Sequence, residues 1–190
     1  MSIIGLTGPT GAGKSQAAAV AKESGFKVID CDMVARQAVL PKTKGLEALV
    51  EAFSKDILLP DGTLNRKALA AVAFSSHEQT EKLNKTLLPH IVELIKPQLN
   101  DDNVLLDAPT LFESGLDSVC DMTVAVLADY EIRLERIMKR DSLTINEAQT
   151  RINAGKTDDF YLRNAKYILY NNGDAATFLN NASKFWRSFL

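Results

Sequence analysis

The chain has 190 residues, 46% of them hydrophobic and 24% charged, with a formal charge of −2. These proportions belong to a folded globular chain and exclude disordered, collagen-like and disulfide-scaffold proteins. A near-neutral balance offers no basic field to a phosphate backbone, so no nucleic acid is expected as a partner.

Ser2–Thr7 reads as a short buried strand running into a glycine-rich turn and then a helix from Lys14 to about Ser24, closed by Gly25. A second strand, Lys27–Ile29, leads into Asp30-Cys31-Asp32. Helical spacing follows in four pieces: Val34 and Ala38; Leu46, Leu49, Val50 and Phe53; Leu64, Leu69, Val72 and Phe74; and Leu83, Leu87, Ile91, Leu94 and Ile95. Pro41, Pro60-Asp61-Gly62 and Pro89 punctuate these pieces, and Ser76-x-x-Gln79 has the form of a capping box. His90 reads as a solvated helix residue.

Asn103–Asp107 and Met122–Leu127 carry the unbroken apolar runs of strands buried on both faces. Asp129 is expected to cap a helix with Tyr130, Leu134, Ile137 and Met138 on its apolar face and charges on the other. Thr144-x-x-Glu147 is a second capping box, opening a short polar helix through Ile152. Tyr167–Tyr170 is a last strand and Asn171-Asn172-Gly173 a turn. A closing helix over Ala175–Leu190 puts Phe178, Leu179, Ala182, Phe185, Trp186 and Phe189 on one stripe. Strands alternating with helices predict an α/β fold, a parallel sheet flanked by helices. The long interval over residues 33–102 predicts a helical insertion within a single domain. Two cysteines, Cys31 and Cys120, are too few to staple the chain. No apolar run reaches the roughly 18 residues of a membrane span. A cytoplasmic protein without membrane association, a monomer or small homo-oligomer, is expected.

Gly8-Pro9-Thr10-Gly11-Ala12-Gly13-Lys14-Ser15 satisfies G-x-x-x-x-G-K-[ST] between a predicted strand and a predicted helix. The glycines let backbone N–H groups of Gly8, Gly11, Ala12, Gly13 and the residues through Gln16 curl around phosphate oxygens. Lys14 is expected to neutralise the β- and γ-phosphates and Ser15 to ligate Mg2+, so ATP with Mg2+ is the expected cofactor set. A GTPase switch is disfavoured: Asn84-Lys85-Thr86-Leu87 lacks the guanine-reading aspartate, and no D-x-x-G follows Asp107. Asp32 follows the second strand, where ligands of parallel sheets bind. It is a candidate base or hydroxyl-orienting group, with helix capping as the alternative. Arg140 is a candidate lid arginine stabilising transferred charge, or a helix C-terminal cation. Arg151, Lys156 and Arg163 continue an apolar-poor stretch read as a lid over residues 140–165.

Together the P-loop, Val28-Ile29-Asp30-x-Asp32-x-x-Ala35-Arg36, Asp61-Gly62-x-Leu64-x-Arg66-x-x-Leu69, Leu106-Asp107-Ala108-Pro109-x-Leu111-Phe112-Glu113, Lys139-Arg140-Asp141 and the closing strand and turn over residues 167–173 resemble the dephospho-CoA kinase family from Ile3 to about Gly173. The resemblance implies a P-loop fold whose helical insertion holds the acceptor. It also implies transfer of the ATP γ-phosphate to the ribose 3′-hydroxyl of dephospho-CoA. Asp32, Lys14 and Arg140 are then the catalytic set, and Arg36, Arg66 and Asp107 are further substrate contacts. Asp107 is expected to support metal-bound water or Lys14, or else to cap its strand end. Two departures stand out: no histidine precedes Pro89, and Gly155 and Tyr161 occupy family glutamine and lysine positions. The competing expectations are another small-molecule or nucleoside monophosphate P-loop kinase and a nucleotide-binding regulatory protein.

Overall fold

The computed structural model describes residues 2–99 and 103–190. The ends expected for the domain at residue 1 and for the insertion at residue 102 lie outside the described residues. Five strands, β1 (Ser2–Thr7), β2 (Lys27–Asp30), β3 (Asn103–Asp107), β4 (Met122–Leu127) and β5 (Tyr167–Tyr170), form one sheet in the order β2-β3-β1-β4-β5. The pairings of β1 with β3 and β4, and of β4 with β5, are parallel. Ile4, Leu6, Val104–Leu106 and Val124–Val126 are fully buried, as continuous apolar runs in a sheet covered on both faces require.

One unit comprises this sheet with α1 (Lys14–Glu23), α6 (Tyr130–Asp141), α7 (Ile145–Asn153), α8 (Asp158–Asn164) and α9 (Ala175–Arg187). α1 and α9 share a core in which Trp186 is wholly buried, stacks edge-on against Phe26 at 5.6 Å and donates its indole N–H to the Ala17 carbonyl at 2.9 Å. Leu179, expected on that apolar stripe, is instead 39% exposed, and the helix ends at Arg187 with Ser188 as its C-cap. α1 stops at Glu23 in a Schellman arrangement, with Phe26 N–H bonded to Ala21 and Gly25 N–H to Lys22.

The second unit, residues 30–100 and 112–119, is built from α2 (Cys31–Ala38), α3 (Lys44–Phe53), α4 (Arg66–Ala73) and α5 (His77–Ile95). Its core gathers Val39, Leu49, Phe53, Ile57, Leu69 and Ala73, flanked by Leu83 and Leu87. Four local expectations are corrected here. Pro89 does not break the chain but lies inside α5; packing of buried Ile91 and Ile95 beyond it outweighs the one ladder bond a proline removes. Leu64 precedes α4 and bridges to Leu58 across the Pro60–Gly62 turn, and Val72 and Phe74 are exposed. The Ser76 hydroxyl accepts from Gln79 N–H and makes that half of its box. His90 is half-buried against Gly45, where an added Cβ would come within 3.4 Å of its own.

Candidate active site

The loop after β1 is shaped by three glycines with φ of 150°, 81° and 102° at Gly8, Gly11 and Gly13. A Cβ on Gly8 would lie 2.4 Å from the Val126 carbonyl oxygen, and one on Gly13 2.2 Å from Nδ2 of Asn171. Both positions therefore need glycine for backbone angle and for space. Gly13 is the N-cap of α1, and no side chain caps that helix. The Gln16 N–H bonds the Gly13 carbonyl at 3.0 Å, and the Lys14 and Ser15 N–H groups at the start of the helix make an anion site backed by the helix dipole. Ser15 and Gln16 are exposed on that turn, and Ala12 is buried beneath it.

Lys14 pairs with Asp107, the last residue of β3, and the two side chains are 16% and 19% exposed. The register that sets Leu6 opposite Asp107 brings this carboxylate beside the root of the loop. Ala108 N–H donates to the Leu6 carbonyl and the Thr7 hydroxyl to the Pro109 carbonyl, both at 3.0 Å, so the Asp-Ala-Pro segment is tied to the loop's base.

In the helical unit, Asp30 caps α2 by accepting the Met33 N–H at 3.0 Å. Asp32 lies in the first helical turn and is not the cap, because the helix begins two residues earlier than its apolar spacing suggests. Its exposed carboxylate borders a cavity of about 410 Å³ together with Arg36 and Arg66. Asp32 and Arg36 share a helix face at i, i+4, and Arg66 opens α4. The rest of the lining is largely apolar, with Val39, Leu64, Leu69 and Phe74. Two guanidinium groups and a carboxylate over an apolar wall suit a ligand with a phosphate, a hydroxyl and an aliphatic body.

Arg140 lies in the last turn of α6 with Nε and Nη2 each donating to the Asp141 carboxylate at 2.8 Å, and Arg151 Nη1 donates to the same carboxylate at 2.6 Å. The Arg140 hydrogen bond, aided by the charges of Arg140 and Arg151, holds the Asp141 carboxyl below the usual carboxylate range. The apolar-poor stretch that follows is helical: Ala148 and Ile152 of α7 bury themselves against Leu134 and Ile137 of α6, and Tyr161 of α8 is 4% exposed. The Thr144–Glu147 capping box is fully formed. Arg163 lies 3.5 Å from Asp159, and Lys156 sits over the Phe160 ring.

Several residues escaped the sequence reading. Arg133 lies on the expected charged face of α6 yet is 5% exposed, its Nη2 3.2 Å from Asp158 of α8. Asp129 stands at the α6 N-cap without capping it; its carboxylate accepts from Asn172 Nδ2 and its N–H donates to Asn172 Oδ1. Asn171 is buried against the P-loop. The signal for the two asparagines was the Asn-Asn-Gly turn, which also resembles the family's N-x-G turn but carried no sign of a contact with the P-loop.

A parallel sheet with a P-loop after β1, its lysine met by an aspartate at the end of β3, defines a P-loop nucleotide-binding fold. The dephospho-CoA kinase family model matches residues 2–177. A dephospho-CoA kinase of Corynebacterium glutamicum is 41% identical over 187 residues, covering 95% of this chain and 94% of that one. Among solved structures, TT1252 from Thermus thermophilus has a TM-score of 0.79 at 31% identity, covering 100% of this chain and 97% of its own. A dephospho-CoA kinase from Campylobacter jejuni has a TM-score of 0.66 at 26% identity, covering 96% and 94%. The chain belongs to the dephospho-CoA kinase family, and a kinase of this family uses ATP as a substrate. Among the described residues no helix is long and apolar enough to cross a membrane.

Proposed function

We propose that this chain transfers the γ-phosphoryl group of ATP to the ribose 3′-hydroxyl of dephospho-CoA, yielding coenzyme A and ADP. The observation that carries the acceptor half of this reading is the convergence of Asp32, Arg36 and Arg66 on one cavity with an apolar wall. Arg36 and Arg66 hold acceptor phosphate oxygens, and the apolar wall takes the aliphatic arm. Asp32 orients the 3′-hydroxyl and receives its proton as the oxygen bonds to phosphorus and the bond to the β-phosphate oxygen breaks. Loop N–H groups of Gly8, Gly11, Gly13, Lys14 and Ser15 bind the nucleotide phosphates, the Ala12 and Gln16 N–H groups being bonded to the Pro9 and Gly13 carbonyls, and Lys14 offsets their charge while Asp107 steadies it. Arg140 leaves Asp141 to meet the charge that spreads over the transferring group.

The residues also fit Mg2+. Among the described residues no three His, Cys, Asp or Glu side chains cluster as a metal cage. A phosphate-bound Mg2+ asks for one or two hard oxygen donors; the exposed Ser15 hydroxyl would be one, and Asp107 would support metal-bound water. When bound, it supplies Lewis-acid neutralisation of the β- and γ-phosphate oxygens. Two cysteines without a disulfide suit a reducing cytoplasm, in which the protein works as a monomer or small homo-oligomer.

The test is an ADP-release assay with dephospho-CoA, AMP, adenosine and shikimate as acceptors. Release with dephospho-CoA alone is the expected result, and release with another acceptor alone rejects the assignment. Asp32→Asn is expected to bind ATP normally while losing about 100- to 10,000-fold in turnover. Wild-type turnover in that variant removes Asp32 from the chemistry.

A further inference from the structure

Asn171 follows β5, is 1% exposed, and takes no part in the chemistry above. Its backbone N–H donates to the Leu127 carbonyl at 2.8 Å, which fixes the residue to the end of β4. Nη2 of Arg136 donates to its side-chain Oδ1 at 3.2 Å, and its Nδ2 donates to the Ala12 carbonyl at 2.8 Å. A guanidinium can only donate, so Arg136 sets which end of the amide is oxygen and leaves the NH2 group for the loop. The Ala12–Gly13 peptide is planar and trans, so its C=O and N–H point in opposite directions. Drawing the Ala12 carbonyl back onto Asn171 turns the Gly13 N–H the other way, toward the side on which an anion is received. Glycine at 13 permits this, because a Cβ there would strike Nδ2.

We infer that Asn171 is a positioning residue for the reaction: it aims the Gly13 amide at the nucleotide phosphates, with Arg136 holding its side-chain amide in register. The inference rests on the reading of the P-loop as the ATP phosphate site, and not on the identity of the acceptor.

Asn171→Asp is the discriminating variant, since it keeps the shape and the bond from Arg136 but sets a second oxygen against the Ala12 carbonyl. Calorimetric titration with ATP alone is expected to show binding weakened about tenfold, the equivalent of one lost buried hydrogen bond. KM for ATP rises with it and kcat falls, while KM for dephospho-CoA stays within about twofold of wild type, the usual spread between unaffected sites. Arg136→Met, which frees the amide to flip, shifts ATP binding in the same direction by less; it carries the test should Asn171→Asp not fold. Wild-type ATP affinity in a folded Asn171→Asp protein, or in Arg136→Met where the first variant does not fold, overturns the inference. Equal loss in both KM values with a lowered melting temperature overturns it too, since that marks general loosening. Weakened ATP binding in an enzyme that ignores dephospho-CoA upholds Asn171 and rejects the acceptor instead.

Discussion

Asp107→Asn keeps the side chain's shape and removes the charge beneath Lys14. The two side chains are 16% and 19% exposed, so solvent shields the pair far less than it would a surface ion pair. Exposed pairs contribute about 0–1 kcal/mol, whereas hydrogen bonds to charged groups contribute about 1.5–3 kcal/mol. Largely enclosed on both sides, this pair belongs near about 2 kcal/mol. In a chain of this length each kcal/mol moves Tm by about 2–4 °C, so the variant should melt about 4–8 °C lower. Scanning calorimetry of nucleotide-free protein at pH 7 measures this, with urea unfolding as a check that the m-value is unchanged. Saturating ATP should then narrow the gap, because phosphate oxygens supply Lys14 with the counter-charge that the variant lacks. A nucleotide-free variant melting within about 1 °C of wild type refutes the argument that this pair holds the lysine in place.

Arg36→Ala and Arg66→Ala each remove one guanidinium from the cavity beside Asp32. Each should raise KM for dephospho-CoA about tenfold or more with KM for ATP nearly unmoved, as loss of one charge-assisted phosphate contact predicts; steady-state kinetics with either substrate varied checks this. Hydrogen bonds from the Thr144 hydroxyl and backbone hold the Glu147 carboxyl below its ordinary value. A folded-state value lowered in this way adds stability that is complete above the unfolded pKa and is lost as pH falls through the folded one. The urea midpoint of Glu147→Ala should therefore lie below wild type by a constant amount above about pH 5, and the two should converge as pH falls through the lowered folded-state value. A gap that persists in acid assigns the box's contribution to something other than the carboxylate.

The strands and the P-loop were legible because each rests on local composition: continuous apolar runs at Val104–Leu106 and Val124–Leu127, and glycines where the backbone must enter the left-handed region. The capping box at Thr144 was legible for the same reason, since both partners lie within one turn. What escaped was decided by distant neighbours or by a shift of one or two residues. Asp30 and Asp32 compete for one cap, and only the observed start of α2 at Cys31 separates them. A charged residue at 133 reads as solvated until Asp158, far along the chain, is found beside it. Pro89 reads as a stop until the buried residues beyond it are seen to continue the helix. Asn171 lies 159 residues from the carbonyl it supports, a separation that no periodicity can report.

That separation also has a meaning in time. The P-loop is synthesised well before Asn171 and Trp186, which pack on it and on its helix. At about 5–20 residues per second, about 8–30 seconds pass between synthesis of the loop and synthesis of its brace. During that interval the nascent chain carries the complete nucleotide-binding motif without the contacts that shape it. The order of synthesis thereby ties competence for ATP to completion of the segment from β1 through α9.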